Sequence, residues 1–221
     1  TKLPDKPGVY VFLDKKGGIL YIGRATFLKR RVASYFRKDL DPRIKEMMSL
    51  AVKIRRYVTE TVLESFILEA NLIKKHWPKY NVREKDDRSF VYIIIAKADY
   101  PKPIIVRGKE LKNFPSGSSR IFGPYKNLRI VKEILKIARR IFPYGVCKPN
   151  QGKPCFHYQI GLCPGICIGA VSKQDYQKNI NNLILFLSGE KKRLIKKLMK
   201  ENPEKAESLK YIQDMSLLIR E

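Results

Sequence analysis

Carboxylates are scarce in this chain. Its 221 residues hold 21 Asp and Glu against 46 Lys and Arg, a formal net charge of +25 with a pI near 10.0. A surplus of that size exceeds what solubility requires and makes a polyanion the expected partner. Long apolar runs are missing as well. No window approaches the roughly 18 uninterrupted apolar residues of a spanning helix, and the N-terminus lacks a signal-peptide core, so a cytoplasmic protein is expected. No basic helix shows a clean apolar opposite face with Trp or Phe anchors, which argues against a membrane surface as the polyanion. Internal repeats and low-complexity runs are absent. The first residue is Thr1 rather than Met, so the sequence reads as a fragment.

What is present suits a folded domain. The hydrophobic content is 44%, and 12 Tyr and 10 Phe are interleaved with short basic clusters: Lys29-Arg30-Arg31, Arg55-Arg56, Lys74-Lys75, Arg139-Arg140 and Lys191-Lys192-Arg193. Basic clusters spread through patterned, aromatic-rich segments point to a folded nucleic-acid binder rather than a disordered basic tail.

The segment PGVYVFLDKKGGILYIG, residues 7–23, reads as a β-hairpin. Val9, Val11 and Leu13 alternate with Tyr10 and Phe12, and Ile19 to Ile22 form the return strand, with the reversal at Lys15, Lys16, Gly17 and Gly18. Folding symmetrically about Lys15 and Lys16 would make Tyr10 and Tyr21 cross-strand neighbours whose hydroxyls converge. An aromatic pair that merely packs is the plain alternative.

Further helices and strands follow from spacing and punctuation. Leu28 to Tyr35 is expected to be helical, with Arg31 and Tyr35 four apart on one side. Asp41-Pro42 starts a second helix to about Ala51, and Val52 to Thr59 suits a third strand. Thr61 and Glu64 form a capping box for a helix through Lys75. Val62, Phe66, Ala70 and Ile73 make its apolar stripe, and Glu69 falls inside that stripe, where an unpaired carboxylate is costly unless a cation meets it. Phe90 to Ala98, Ile104 to Arg107 and Arg120 to Phe122 read as strands. Asn127 to Phe142 reads as a basic amphipathic helix with Ile130, Ile134, Ile137 and Ile141 inward. From Ser172 onward the chain is helical, with a break near Ser188-Gly189.

All four cysteines, Cys147, Cys155, Cys163 and Cys167, lie in a Gly- and Pro-rich stretch with little periodicity. A piece so poor in core residues needs another source of stability, and four clustered thiols suggest a metal site. Without paired CxxC motifs the spacing does not specify zinc. His157 lies between these cysteines and suits a supporting or stacking role, and His76 beside Trp77 is expected to pack.

Gly8-Val9-Tyr10 and Tyr21-Ile22-Gly23, followed by Arg31, Glu69 and Asn81, resemble the GIY-YIG nucleases. The likeness is closest to the UvrC branch of that family, through LYIGRATFLKRRVASYF, LEANLIKKHWPKYNV, KDDRSFVYI, FGPY and PCFHYQIGLCPGIC. The resemblance implies phosphodiester hydrolysis, with Glu69 as ligand of a divalent metal (Mg²⁺ or Mn²⁺), Arg31 on the scissile phosphate, and Tyr10 or Tyr21 as general base on the attacking water. A phenol with a reference pKa near 10 would need the metal and nearby arginines to depress it. Tyr35 and Asn81 match supporting positions, and Arg24 stands where the family usually carries Lys. The resemblance also implies a 4Fe-4S cluster on the four cysteines, although all-thiolate ligation suits Zn²⁺ equally well.

The implied architecture is α/β. A small mixed or antiparallel-sheet GIY-YIG domain with flanking helices (1–95) is followed by a strand and helix connector (96–142), a Cys-rich metal module (143–170) and a helical tail (171–221). Family members continue into a UVR motif that binds the helicase subunit UvrB, and then into a second nuclease. Here the tail PEKAESLKYIQDMSLLI is a shortened, degenerate version of that motif, which weakens the expectation of UvrB binding. The expected activity is a single metal-dependent incision on the 3′ side of a lesion in damaged duplex DNA, by a monomer, in nucleotide excision repair. A stand-alone Cho-type nuclease and a non-cutting DNA-binding or scaffold module are the alternatives.

Overall fold

The computed structural model describes residues 3–81, 90–114, 117–207 and 209. These residues divide into two compact units, one within residues 3–81 and the other within 90–209. Most of the KDDRSFVYI motif, up to residue 89, and the tail expected to resemble a UVR motif, beyond residue 207 save residue 209, lie outside the described residues.

The first unit is built on a three-stranded antiparallel sheet of β1 (Gly8–Leu13), β2 (Ile19–Ala25) and β3 (Lys53–Val58), with β1 in the centre. β1 is not the half-buried strand that its period-two alternation leads one to expect; it is buried along its whole length because helices cover both of its faces. Tyr10 and Phe12 join Leu28 and Val32 of α1 (Leu28–Ala33), Tyr35 of the 3-10 turn that follows, and Met47 of α2 (Pro42–Leu50). Val9, Val11, Leu13 and Ile22 pack on Ile73 of α3 (Val62–His76) from the other side. Period-two alternation in β1 thus feeds two cores, each gaining about 1.5–3 kcal/mol per large apolar side chain buried.

The expected caps form. Asp41 accepts from the Arg43 amide with Pro42 at the first helical position, and Thr61 Oγ1 accepts from the Glu64 amide. The returning carboxylate of Glu64 bonds the Glu60 amide rather than that of Thr61. α3 ends at Trp77, in the left-handed region with φ 44°, just ahead of Pro78. His76 is exposed at this terminus and does not pack as expected, because the last turn of α3 has left the core.

The hairpin register differs from the symmetric one. Tyr10 pairs with Gly23, and Tyr21 with Phe12. The turn is not a two-residue reversal at Lys15-Lys16. Asp14 Oδ1 accepts from both the Lys16 and Gly18 amides, Gly17 takes φ +81°, and the pairing shifts between Phe12 and Leu13. The longer loop moves the hairpin's centre one residue on, which makes Tyr10 and Tyr21 diagonal rather than direct neighbours.

The second unit has its own antiparallel sheet, with β4 (Val91–Ala96) between β5 (Pro103–Arg107) and β6 (Ser119–Tyr125). α4 (Leu128–Ile141), capped by Asn127, packs on β4 and β6. Its buried side is Val131, Ile134, Leu135, Ile137, Ala138 and Ile141, while Ile130 is only half-buried because Val131 takes the inward place at the first turn. After a short helical turn, α5 (Phe156–Gln159), come α6 (Lys173–Leu187), capped by Ser172, and α7 (Lys191–Glu201), which packs on α6. No helix among the described residues is long and apolar enough to cross a membrane.

Candidate active site and cysteine centre

Three phenols meet in the first unit. Tyr10 Oη lies 2.7 Å from Tyr35 Oη, and the ring centres of Tyr10, Tyr21 and Tyr35 are 5.6–6.2 Å apart. The diagonal register permits this because the residue facing Tyr10 is Gly23. A Cβ there would sit 2.4 Å from Tyr10 Oη and 2.7 Å from a Tyr21 ring carbon, so only glycine lets the two rings close over the strand. Arg31, on α1, donates from Nε to Tyr10 Oη at 3.4 Å and holds its guanidinium 5.5 Å from the Tyr35 ring centre. The expected pairing of Arg31 with Tyr35 along one helix side is therefore present, although α1 gives way to a 3-10 turn before Tyr35.

Burial governs the acidity of this cluster. Tyr10, 1% exposed, is pushed well above the ordinary phenol range by burial, reinforced by Tyr21 and Tyr35. Burial raises Tyr21 too, with the nearby Glu69 carboxylate adding to the shift, and raises Tyr35 to about 12. Arg31 pulls all three down, as expected of an arginine, but desolvation outweighs it. At neutral pH all three are neutral hydroxyls.

Glu69, on α3, is 5% exposed. The cation that its buried position demands is Arg24 of β2, whose Nε lies 3.4 Å from Glu69 Oε2. Arg24 is itself held flat on Phe66, one turn before Glu69, with Cζ 3.5 Å from the ring centre. A carboxylate close enough to Tyr21 to raise its pKa offers oxygen chemistry suited to Mg²⁺, which takes one or two carboxylates and keeps several waters. Asn81 holds the strand beside Tyr21. Its amide accepts from the Ile22 N–H at 2.7 Å and donates to the Ile22 carbonyl at 2.6 Å, completing the open edge of the strand that carries Tyr21 and Gly23.

In the second unit the sulfurs of Cys147, Cys155, Cys163 and Cys167 all lie within 4.8 Å of one another, with Cys147 and Cys163 3.8 Å apart. None forms a disulfide. Backbone bonds shape the cage: the His157 carbonyl accepts from both the Leu162 and Cys163 amides, and the Cys155 amide donates to Cys167 Sγ. Burial pushes the Cys147 thiol up to about 12. Cys155 comes down to about 7: burial opposes the shift, but the Tyr158 backbone and the neighbouring thiols outweigh it. Among the described residues no His, Asp or Glu joins this group, and four converging sulfurs could hold a thiophilic metal.

A family model for the UvrC-like GIY-YIG domain matches residues 6–82, and one for the middle domain of the UvrC/Cho excinuclease matches residues 90–186. The chain belongs to the UvrC family. A protein named UvrABC system protein C from Caldanaerobacter subterraneus subsp. tengcongensis is 39% identical over 218 residues, 95% of this chain and 34% of that protein. Its namesake from Thermoanaerobacter sp. is 41% identical over 219 residues, 95% of this chain and 35% of the relative. The chain thus spans about a third of the length of these relatives. Among solved structures, the GIY-YIG N-terminal endonuclease domain of UvrC from Thermotoga maritima, bound to its catalytic divalent cation, magnesium, is 42% identical; the match covers 36% of this chain and 88% of that one, with a TM-score of 0.34.

The two family matches divide the candidate residues cleanly. Tyr10, Tyr21, Arg24, Arg31, Tyr35, Glu69 and Asn81 fall in the first, and the four cysteines in the second. Sequence reading did not find Gly23 as the residue beneath two rings, Phe66 as the seat of Arg24, or Arg139. Arg139 Nε donates to the Leu162 carbonyl and Nη2 to the Tyr144 carbonyl, both at 3.0 Å, which ties α4 to the segments leading into Cys163 and Cys147. Only its place at the border of the buried stripe hinted at this.

Proposed function

We propose that this chain is a metal-dependent DNA endonuclease of nucleotide excision repair that hydrolyses a phosphodiester on the 3′ side of a lesion. The observation that carries this reading is the joined array of Arg31, Tyr10, Tyr35 and Tyr21 beside the buried carboxylate of Glu69. Glu69 would hold Mg²⁺ or Mn²⁺, which when bound would neutralise charge developing on the phosphoryl oxygens. Arg31, with its planar fork, would bind the same phosphate. The phenols position the attacking water. As its oxygen bonds to phosphorus and the bond to the leaving sugar oxygen breaks, one water proton passes to the phenols and one is returned to the leaving oxygen. Because Tyr10 and Tyr35 already share a hydrogen bond, uptake of a proton at one hydroxyl can be matched by release from its neighbour, and no free phenolate has to form. This suits phenols whose pKa is raised. Asn81 acts at one remove by fixing β2.

Glu69→Gln tests the reading directly. The variant should nick lesion-containing duplex in Mg²⁺ at least about 100-fold more slowly than the parent, the scale on which removal of one positioned charge-stabilising group acts. Nicking at the parental rate would reject the proposal. A second reading, a DNA-binding module that does not cut, is favoured by one observation: Arg24 already neutralises Glu69. A parental chain that binds the duplex yet leaves it intact would establish that reading.

The four cysteines would carry a metal centre that stabilises the otherwise core-poor segment. Family resemblance favours a 4Fe-4S cluster. The 3.8 Å separation of Cys147 and Cys163 favours Zn²⁺, because a tetrahedral ion with Zn–S bonds of about 2.3 Å sets sulfurs at about that distance, whereas a cubane needs them spread further. Iron and acid-labile sulfide in anaerobically purified protein would establish the cluster, and one zinc per chain in a colourless sample would establish the ion. Damaged duplex DNA is the proposed partner, in a cytoplasmic monomer.

A further inference from the structure

The second unit contains none of the residues proposed to cut, yet one of its helices is charged against its own interest. On α4, Arg129, Lys132, Lys136 and Arg140 are all exposed and are spaced three, four and four residues apart. At about 100° per residue they fall within roughly 80° of arc, opposite the buried stripe of Val131, Ile134, Leu135, Ile137, Ala138 and Ile141. Neighbours at these spacings repel one another in an isolated helix, and Arg129 in the first turn, with no acidic residue there, also opposes the helix dipole. A sequence that accepts both penalties at one face is expected to recover them from an anion outside the helix.

The surroundings support that face as a presented one. Its far side is locked on the second sheet, and Arg139 ties its C-terminal end to the Tyr144 and Leu162 carbonyls, so the cations are carried on a rigid rod. Glu133 is the only acidic residue on the helix and lies at the flank of the stripe, 3.9 Å from Lys136. On the other strongly basic helix, α7, Lys197 turns inward to bond the buried Asn182 of α6, whereas Arg193 and Glu190 form a surface pair like that of Lys136 and Glu133 on α4. Along α4 the four cations extend about 16 Å, enough to meet several phosphates of a duplex that carries one per about 1.7 Å of axis.

We propose that the exposed face of α4 is a backbone-tracking surface for duplex DNA, through which the second unit grips the substrate independently of the phenol cluster. This rests on the reading of the chain as a DNA-binding protein. It specifies contacts to phosphates without base recognition.

The test compares two variants of the full chain, each losing four positive charges from the second unit. One carries R129Q, K132Q, K136Q and R140Q; the other carries K102Q, K109Q, K112Q and K178Q, at exposed positions scattered away from α4. Binding of an undamaged duplex is followed by fluorescence anisotropy across a salt series in EDTA, which prevents cutting. The α4 variant should bind about 10- to 100-fold more weakly than the parent at moderate salt, and its salt slope should flatten by up to about 0.9 for each phosphate it no longer neutralises. Its melting temperature should equal or exceed the parent's, because the repulsive ladder is gone. The scattered variant should keep the parental slope. Equal weakening in both variants, or parental binding by the α4 variant, would overturn the proposal while leaving nicking by the parent intact. A parent that binds no duplex at all would overturn the proposed function with it.

Discussion

Arg24 and Glu69 form a buried ion pair between β2 and α3, with Nε 3.4 Å from Oε2 and side-chain exposures of 14% and 6%. The arginine is held in place by its face-on contact with Phe66. This pair explains how a carboxylate can occupy the apolar stripe of α3, and why an arginine fits at position 24. A guanidinium can lie flat on an aromatic ring with its charge beside a carboxylate, whereas an ammonium has no plane to stack.

Arg24→Gln should therefore destabilise the protein by about 3 kcal/mol in EDTA, the cost of stripping the partner from a buried charge. Adding Glu69→Gln to it should recover most of the loss, since the buried charge is then removed as well. Urea denaturation of the two single variants and the double variant closes this cycle. Additive losses would show that the pair is not coupled.

Gly23→Ala should leave the sheet intact and disable the site. The new methyl would lie 2.4 Å from Tyr10 Oη and 2.7 Å from Tyr21, so both rings must move. Displacements of about 1 Å at a reacting centre cost on the order of 100-fold in rate, and a loss of that size in nicking, with far-UV circular dichroism unchanged, is the expected result.

The buried phenols make the fold sensitive to alkali. Tyr35 in the first unit and Tyr176 in the second are each raised to about 12, chiefly by burial. A group whose folded pKa is raised contributes stability that is complete below its unfolded value, near 10, and is lost as pH rises through the folded value. Stability should fall between about pH 10 and 12. Tyr176→Phe should shallow that fall while lowering stability at neutral pH, because its hydroxyl donates to the Pro101 carbonyl and accepts from the Gly145 amide. Chemical denaturation at stepped pH measures both effects.

Arg139→Met keeps most of the aliphatic stem and removes the two bonds to the Tyr144 and Leu162 carbonyls. Each charged hydrogen bond contributes about 1.5–3 kcal/mol, so the cysteine cage should loosen. The expected outcome is faster loss of bound metal to a chelator and faster reaction of the thiols with Ellman's reagent than in the parent. Arg139→Lys, which can restore one bond, should fall in between.

Much of this was legible in the residues. The alternation of β1, the Asp41-Pro42 and Thr61 helix starts, the Ser172 cap and the inward Glu69 follow from local spacing and capping chemistry, and all are present. The hairpin register was not legible. It depends on Asp14 binding two amides at once, which lengthens the loop and sets Tyr10 opposite Gly23. The place of Asn81 could not be read either, because its amide bonds the backbone of Ile22, 59 residues away.

By itself the sequence determined which residue types were available and which faces they would share: two tyrosines and an arginine on a basic α/β scaffold, a glutamate on a buried helical stripe, four thiols in a segment too poor in apolar residues to hold itself together. Periods of two and 3.6 carry that information locally. Only the tertiary structure decided the partners. Tyr10 meets Tyr35, Arg24 meets Glu69 over Phe66, and Arg139 meets the carbonyls ahead of two cysteines, because loop lengths and packing bring distant segments together at distances that no local pattern encodes.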